Sequence, residues 1–437
     1  MGCCHAYFTA NKDGDDAFTI DASRATFGSG CLKEAGARAK ALGMTRVALY
    51  TDKVVGALEH VAVVKRSLRD AGLDVVVYDE VTAEPTDESF RAGAAFATEG
   101  RFDGFVSVGG GSTMDTCKAA NAYSSYPADF LAYVNAPIGD ARPITGPLKP
   151  HIACPTTAGT GSECTGIAVF DYTPMHAKTG MQYVAMKPTQ ALIDPDVTRT
   201  LPPTIVASSG FDAMSHALET LTARAYSSRP RPADPAQRPV SQGANPFSDI
   251  AAREALSLIG RYLVRAVNDA SDIEARTEMM YAATLAGIAF GNCGCHIPHG
   301  MSYSVSVRLH DYNVPDYKNQ NGPFIPHGMS VVLNAPSVYR FTAAAAPERH
   351  LMGAESLGAD VRGATPQDAG EVLAARIIGM MQATRFPNGL SAVGFGAADI
   401  DTLVEGAYPQ RRVLDNAPCD VTRDDLRHLY SAAMTYW

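Results

Sequence analysis

The chain has 437 residues, 37 Lys and Arg against 46 Asp and Glu for a formal charge of −9, and 46% hydrophobic residues. This composition suits a globular enzyme-sized protein with a large core and excludes a disordered or fibrous chain. The acidic balance, with no dense basic run, argues against nucleic acid as a partner. No apolar run reaches the ~18–20 residues that a membrane helix requires.

At the N-terminus, Met1 to Ala10 lacks a basic stretch followed by an apolar one, and Asp13, Asp15 and Asp16 disfavour an Arg-rich transit helix. The expected location is therefore the cytoplasm. The start Met1-Gly2-Cys3-Cys4 resembles an acylation site, but Ala6 stands where myristoylation prefers Ser or Thr, so Cys3 and Cys4 read as surface residues. Nine cysteines without small-scaffold spacing suggest reduced thiols. Cys293 and Cys295 form a lone C-x-C with no second pair and read as core packing.

Strand and helix signals then alternate. Arg46 to Thr51 is a short β-branched and aromatic run, Val54 to Ala71 has helical spacing, and Leu73 to Tyr78 is β-rich again. Pro85 opens a helix with Asp87 and Glu88 in its first turn, Gly100 closes it, and Phe102 to Val108 is a buried strand. Ile152 to Cys154 and Ala191 to Ile193 read as two more strands, each delivering a polar loop. A parallel sheet flanked by helices follows. After Asp194-Pro195 the character becomes helical, over Ala207 to Ala223, Ile250 to Val267, Ile273 to Phe290 and Gln367 to Ala383. This places a domain boundary near residue 197, dividing the chain into 1–197 and 198–437. Five prolines between Tyr226 and Phe247 exclude a helix there and leave a lid, an oligomer contact or a plain exposed excursion.

Two loops carry a nucleotide signal. After the strand ending at Val108, Gly109, Gly110 and Gly111 remove every Cβ that would keep a pyrophosphate from the backbone N–H groups, and a helix then starts on the phosphate. Ser112 with Asp115 three residues on resembles a capping box. The motif has neither the G-x-G-x-x-G spacing nor the Lys of a P-loop. A second Gly/Thr-rich loop, Pro155 to Glu163, follows a neighbouring strand and includes Thr156, Thr157, Thr160 and Ser162. Asp52, directly after a strand, suits the two ribose hydroxyls of NAD and would repel a 2′-phosphate, and it also suits a helix N-cap.

Asp212 and His216 stand four apart and project from one helical face. With His299 and His327 they supply three imidazoles and a carboxylate, a set that suits Fe²⁺ or Zn²⁺. His296 lies three residues before His299, and spacing alone does not choose between them.

Gly109 to Asp115, Pro155 to Glu163, Gly210 to Glu219, His299-Gly300-Met301 and His327-Gly328 together resemble the iron-dependent (group III) alcohol dehydrogenase superfamily. The stretches GGGSTMDTCKAAN from Gly109, HGMSYS from His299 and Asp311 to Val314 are similar to its transhydrogenase branch. The resemblance implies an α/β plus all-α fold, with an N-terminal Rossmann-like parallel-sheet domain and a C-terminal helical domain. It implies a metal held by Asp212, His216, His299 and His327, choosing His299 over His296. It implies NAD held by Asp52, Gly110, Gly111, Ser112, Asp115, Thr156, Thr157, Thr160 and Lys178, within loops that also bring Gly109 and Ser162. Tyr303 stands four residues past His299, where many superfamily dehydrogenases have a second His, and it joins His299 as a catalytic candidate.

The implied reaction passes a hydride from 4-hydroxybutyrate to 2-oxoglutarate through bound NAD, giving succinate semialdehyde and 2-hydroxyglutarate. The alternative is an NAD-dependent alcohol dehydrogenase or aldehyde reductase acting on another small alcohol or anionic aldehyde. A hydroxyacid or oxoacid substrate carries a remote carboxylate, for which Arg308 and Lys318 are the candidate cations. Superfamily members are commonly dimers or larger, so a homo-oligomer is expected.

Overall fold

The computed structural model describes residues 7, 12–318 and 322–437. Cys3 and Cys4 lie outside the described residues. The strands are β1 (Arg24–Phe27), β2 (Arg46–Tyr50), β3 (Asp74–Tyr78), β4 (Gly104–Gly109), β5 (His151–Pro155), β6 (Ile167–Tyr172), β7 (Ala177–Gln182) and β8 (Gln190–Ile193). Six of them form one sheet in the order β1-β8-β5-β4-β2-β3, with every pairing parallel. This is the α/β sheet the sequence implies. β2, β4, β5 and β8 are buried almost throughout because helices cover both faces, which explains their near-continuous apolar runs. Along β2 the side chains alternate: Val47 and Leu49 enter one core, Ala48 and Tyr50 another.

The first helices are α1 (Ala35–Ala41), α2 (Glu59–Asp70), α3 (Asp87–Gly100) and α4 (Gly111–Ser125). α1 packs on α2 and α3 on α4. From β2 the chain moves outward to β3, then crosses back to β4 on the other side of β2, so the strand order reverses between β2 and β4. A crevice opens at such a reversal, outside the carboxyl ends of the strands. Asp52 and Gly109 stand on its two sides. The helix expected over Val54 to Ala71 is split: a 3-10 turn at Val55–Ala57 precedes α2, because Asp52 Oδ1 accepts from the backbone N–H of Val54 (2.8 Å) and Val55 (2.9 Å).

The helical half begins with α5 (Pro203–Thr222), followed by α6 (Pro246–Asn268), α7 (Ile273–Cys293), α8 (Ile297–Val307) and α9 (His327–Val332). α5 is the hub, packed on α6, α7 and α9 and buried from Val206 onward. One hydrophobic cluster runs from the β2 and β4 face of the sheet through Phe211 and Leu218 of α5 into this bundle, so the two halves share a core. Among the described residues no helix is long and apolar enough to cross a membrane.

The Pro-rich segment is a strap rather than an unattached excursion. Its Arg238 pairs with Asp15 (2.9 Å), and Gln242 exchanges two hydrogen bonds with the Thr19 backbone (2.7 and 2.9 Å). Ser241 of the same strap lines the central cleft. The seven cysteines among the described residues are all unbridged, in keeping with reduced thiols.

Candidate active site

A cleft of about 290 Å³ runs from the crevice between β2 and β4 to the helical bundle. Of the expected nucleotide residues, it brings together Asp52, Gly110, Gly111, Ser112, Asp115, Thr156, Thr157, Thr160 and Ser162. Gly110 is the N-cap of α4, in extended conformation, so the first free N–H groups of that helix face the cleft. A Cβ on Gly110 meets only the Thr157 side chain, at 3.5 Å, an ordinary contact. The protein itself therefore has room for a side chain there, and the glycine keeps open a place for an approaching group. At Gly111 a Cβ lies 2.7 Å from Thr160 Cγ2, so that glycine lets the two loops interlock. Gly109 lies behind them, where a Cβ would strike Thr113.

The expected capping box is corrected. No side chain caps α4. Ser112 Oγ accepts from the Glu84 backbone N–H (3.2 Å). Asp115 accepts from Ser162 Oγ (2.5 Å) and Val169 N–H (2.9 Å), and Ser162 in turn accepts from Lys118 Nζ (2.6 Å). The buried Lys118 and Ser162 and the half-buried Asp115 thus tie the second loop to α4 and set the spacing of the cradle. Lys118 was invisible in the sequence because its partner lies 44 residues away. The second loop also docks on the bundle: Gly161, at φ +59°, sits so close to α7 that a Cβ would lie 2.4 Å from Gly287 Cα.

Lys178 departs from expectation. It is buried between Glu84 (2.6 Å) and Asp171 (2.7 Å) and faces a second cavity rather than the cradle. Burial opposes its charge, but the two carboxylates hold it above the usual lysine value.

At the other end of the cleft, Asp212 Oδ1 stands 3.8 Å from His216 Nε2, 3.6 Å from His299 Nε2 and 3.8 Å from His327 Nε2. Asp212 and His216 share one face of α5, one turn apart. His327 reaches them because Gly328 lets α9 approach α5: a Cβ there would lie 2.0 Å from Ser208 O and 2.7 Å from Asp212 Cβ. Asp212 Oδ1 and His299 Nε2 are buried without a hydrogen-bond partner, a costly arrangement unless a further group satisfies them. Ligand bonds of about 2.1 Å at tetrahedral angles set donors roughly 3.4 Å apart; the donors of Asp212, His299 and His327 lie within 4.8 Å of one another and His216 stands 3.8 Å from Asp212, so these O and N donors suit a divalent ion.

The protonation states of Asp212, His216 and His327 agree with that fit. Burial pushes His216 down to about 4 and also lowers His327, leaving both imidazoles neutral. Burial pushes the Asp212 carboxyl up, but the surrounding imidazoles outweigh it and hold it far below the usual carboxylate range. His299 is drawn upward against burial by Cys295, Glu219 and Asp212, so an ion bound at its Nε2 would displace a proton.

The imidazoles are held in place from behind. Glu219, one further residue of α5, accepts from His299 Nδ1 (2.6 Å) and from the His296 backbone N–H (2.5 Å). A carboxylate on one ring nitrogen turns the other toward a metal. The His216 ring stacks on Phe290, centroids 3.9 Å apart and nearly parallel. His296 is a packing residue, its Nε2 on Thr222 Oγ1 (2.8 Å) and its Nδ1 accepting from Ile297 N–H (2.8 Å). Cys293 is core, as expected, but Cys295 is not: it lines the cleft, and its sulfur lies within 4.8 Å of donor atoms of His216 and His299. Glu219 stood inside a recognised motif, but its role depends on contact with residues 77 and 80 positions on. Tyr303 is buried beside His327, ring centroids 6.4 Å apart, and also lines the cleft. Lys318 is exposed and lines the cleft, whereas Arg308 lines the second cavity.

A parallel-sheet domain joined to a helical bundle, with a glycine cradle and an Asp-His₃ cluster facing one cleft, places the chain among metal-dependent oxidoreductases. The profile described as iron-containing alcohol dehydrogenase matches residues 22–195, and that of the Fe-containing alcohol dehydrogenase family C-terminal region matches 239–434. The chain is an enzyme of the iron-containing alcohol dehydrogenase family. It is 48% identical to the mitochondrial hydroxyacid-oxoacid transhydrogenase of Mus musculus over 98% of this chain and 94% of that one. The Homo sapiens protein of the same name is 49% identical, over 97% and 91%. The crystal structure of a 1,3-propanediol oxidoreductase superposes with a TM-score of 0.83 at 28% identity, covering 95% of this chain and 100% of that one. The word mitochondrial in the relatives' names overturns the cytoplasmic expectation, which rested on the composition of the first residues and on the cysteine pattern.

Proposed function

We propose that this chain is a hydroxyacid-oxoacid transhydrogenase that moves a hydride from 4-hydroxybutyrate to 2-oxoglutarate through NAD, yielding succinate semialdehyde and 2-hydroxyglutarate. The observation that carries this reading is the convergence of three imidazole nitrogens on Asp212 Oδ1, within 3.6–3.8 Å, at one end of a cleft whose other end is the Gly110 cradle. The name and near full-length similarity of the Mus musculus and Homo sapiens relatives support the choice of reaction.

In this reading residues 1–197 hold the nucleotide and 198–437 the metal and substrate. Asp212, His216, His299 and His327 would hold Fe²⁺, with Zn²⁺ suited to the same donors. When bound, the ion supplies Lewis acidity to a substrate oxygen and the nicotinamide supplies a hydride acceptor and donor. The α4 N-terminus with Gly109, Gly110, Gly111 and Ser112 receives the pyrophosphate, flanked by Thr156, Thr157 and Thr160, while Asp115 and Ser162 brace that cradle. Asp52 has one oxygen committed to its own turn and faces the cleft where a ribose would lie. Lys178 supports this end only indirectly, by neutralising Glu84 beside Ser112. Tyr303 lines the cleft beside His327, where its phenol would donate a hydrogen bond to the reacting oxygen. Glu219 holds the His299 Nδ1–H, so that Nε2 is the nitrogen that would face the ion.

The test is metal and nucleotide analysis of the protein as isolated, followed by incubation with 4-hydroxybutyrate and 2-oxoglutarate without added NAD. Formation of 2-hydroxyglutarate equal to succinate semialdehyde is expected. The superposition on a 1,3-propanediol oxidoreductase favours a second reading, an NAD-dependent dehydrogenase that releases its coenzyme each turnover. Strict dependence on added NAD would select it.

A further inference from the structure

A second cavity of about 190 Å³ adjoins the active-site cleft, and the two share Tyr303 and Arg412 in their walls. Three cations border it. Lys178 is committed to Glu84 and Asp171. Arg412 has a neutral partner, Gln182 Oε1 at 2.7 Å. Among the described residues, the half-buried Arg308 guanidinium donates no hydrogen bond and meets no carboxylate, and burial lowers its pKa below the usual arginine value while it stays charged. The acid in the wall, Glu405, pairs with Arg423. The cavity therefore holds two arginines whose charge is not matched by an acid.

Its position relative to the four-donor centre follows from α8. A Cβ built on Gly406 would lie 2.4 Å from both Arg308 Nη1 and Ser304 Oγ, so the guanidinium folds back to the level of Ser304. Ser304 is five residues past His299, about 7.5 Å along the helix axis at ~1.5 Å per residue. Tyr303 lies between. Gly406 leaves the space the guanidinium fills, and a larger residue there would displace it.

We propose that this second cavity is a carboxylate subsite of the active site, in which Arg308 and Arg412 receive the remote carboxylate of a substrate whose hydroxyl or keto oxygen lies at the Asp212 cluster. An arginine fork pairs with a carboxylate through two parallel N–H···O bonds, and the half-buried Arg308 gains more from that pairing than an exposed lysine such as Lys318, while the exposed Arg412 adds a second positive charge. A neutral alcohol of the same length would reach the metal end but leave both guanidinium groups unanswered. Discrimination between hydroxyacids and simple alcohols thus resides here, and Arg412 is the residue that sequence reading missed. The inference deepens the proposed transhydrogenase function and rests on it for the identity of the reacting group.

The experiment compares kcat/KM for 4-hydroxybutyrate and 1-butanol in the full-length metal-loaded enzyme and in the Arg308→Met/Arg412→Met double variant, with NAD supplied. The acid-to-alcohol ratio should fall about 10- to 100-fold, the usual worth of hydrogen bonds to a charged group, and the Arg308→Lys/Arg412→Lys variant should recover part of it. A ratio is insensitive to a partly unfolded preparation, which lowers both activities alike. Calorimetric titration with unreactive butyrate gives a readout independent of turnover: its affinity should drop in the Met variant. If wild-type enzyme oxidises neither substrate, the proposed function fails while butyrate binding still tests the subsite. An unchanged ratio, an equal loss on both substrates, or butyrate affinity unaffected in the Met variant would overturn the proposal.

Discussion

Replacing Glu219 with Gln removes one negative charge from behind the metal cluster while preserving shape. Each oxygen of Glu219 accepts one hydrogen bond, from His299 Nδ1 at 2.6 Å and from His296 N–H at 2.5 Å, in a wholly buried position. A glutamine has one acceptor for two donors, so its NH₂ must face one of them, and an unsatisfied buried donor costs about 1–3 kcal/mol of stability. If the amide turns its oxygen to the backbone, His299 loses the group that fixes its tautomer. Losing such a partner costs metal affinity about 10- to 100-fold, or roughly 1.4–2.7 kcal/mol. The assay is Zn²⁺ binding by competition with a chromophoric chelator, with urea unfolding of the metal-free protein alongside. Both affinity and urea midpoint should fall. Metal affinity within about twofold of wild type would refute the idea that Glu219 orients His299.

Gly110→Ala should leave the urea midpoint nearly unchanged, since its Cβ meets only Thr157 at 3.5 Å, but weaken NADH binding by about 1–3 kcal/mol in a fluorescence titration. Gly111→Ala, with a Cβ 2.7 Å from Thr160, should lower both. Lys178→Met strands the half-buried Glu84 and Asp171 and should destabilise the fold by about 1–3 kcal/mol; a normal melting temperature with weakened NADH binding would instead make Lys178 a direct nucleotide ligand. Burial pushes His151 to about 3 and His296 and His350 to about 4. In the unfolded chain these groups titrate near ~6.5, so below that pH unfolding takes up protons the folded protein refuses. Their stabilising neutrality is complete above pH ~6.5 and is lost downward at about 1.4 kcal/mol per group per pH unit. A urea midpoint that stays level between pH 7.5 and pH 5.5 would contradict this.

The buried parallel strands were legible because burial on both faces leaves an apolar run: β2, β3, β4, β5 and β8 all lie within a residue or two of expectation. β1, mostly exposed in a four-residue span, was missed because its identity comes from pairing with β8, more than 160 residues away. The β6-β7 hairpin was missed as well, its antiparallel pairs mixing charged and apolar residues. Asp212 and His216 could be read as a pair because four residues on one helix share a face. No local period joins them to His299 and His327; a resemblance did so, and the donor distances agree with it.

What the amino-acid string determined alone was whatever short-range rules govern: alternation in strands, 3.6-residue periodicity in helices, glycine where a backbone must be bare. Tertiary structure alone decided which charges are spent. It committed Lys178 to two acids and Lys118 to the loop brace, set Glu219 behind His299, moved Cys295 from core to cleft, and left Arg308 and Arg412 without acidic partners. The reason is physical: a side chain's charge and hydrogen-bonding capacity are settled by neighbours brought together by packing, and those neighbours lie tens to hundreds of residues apart.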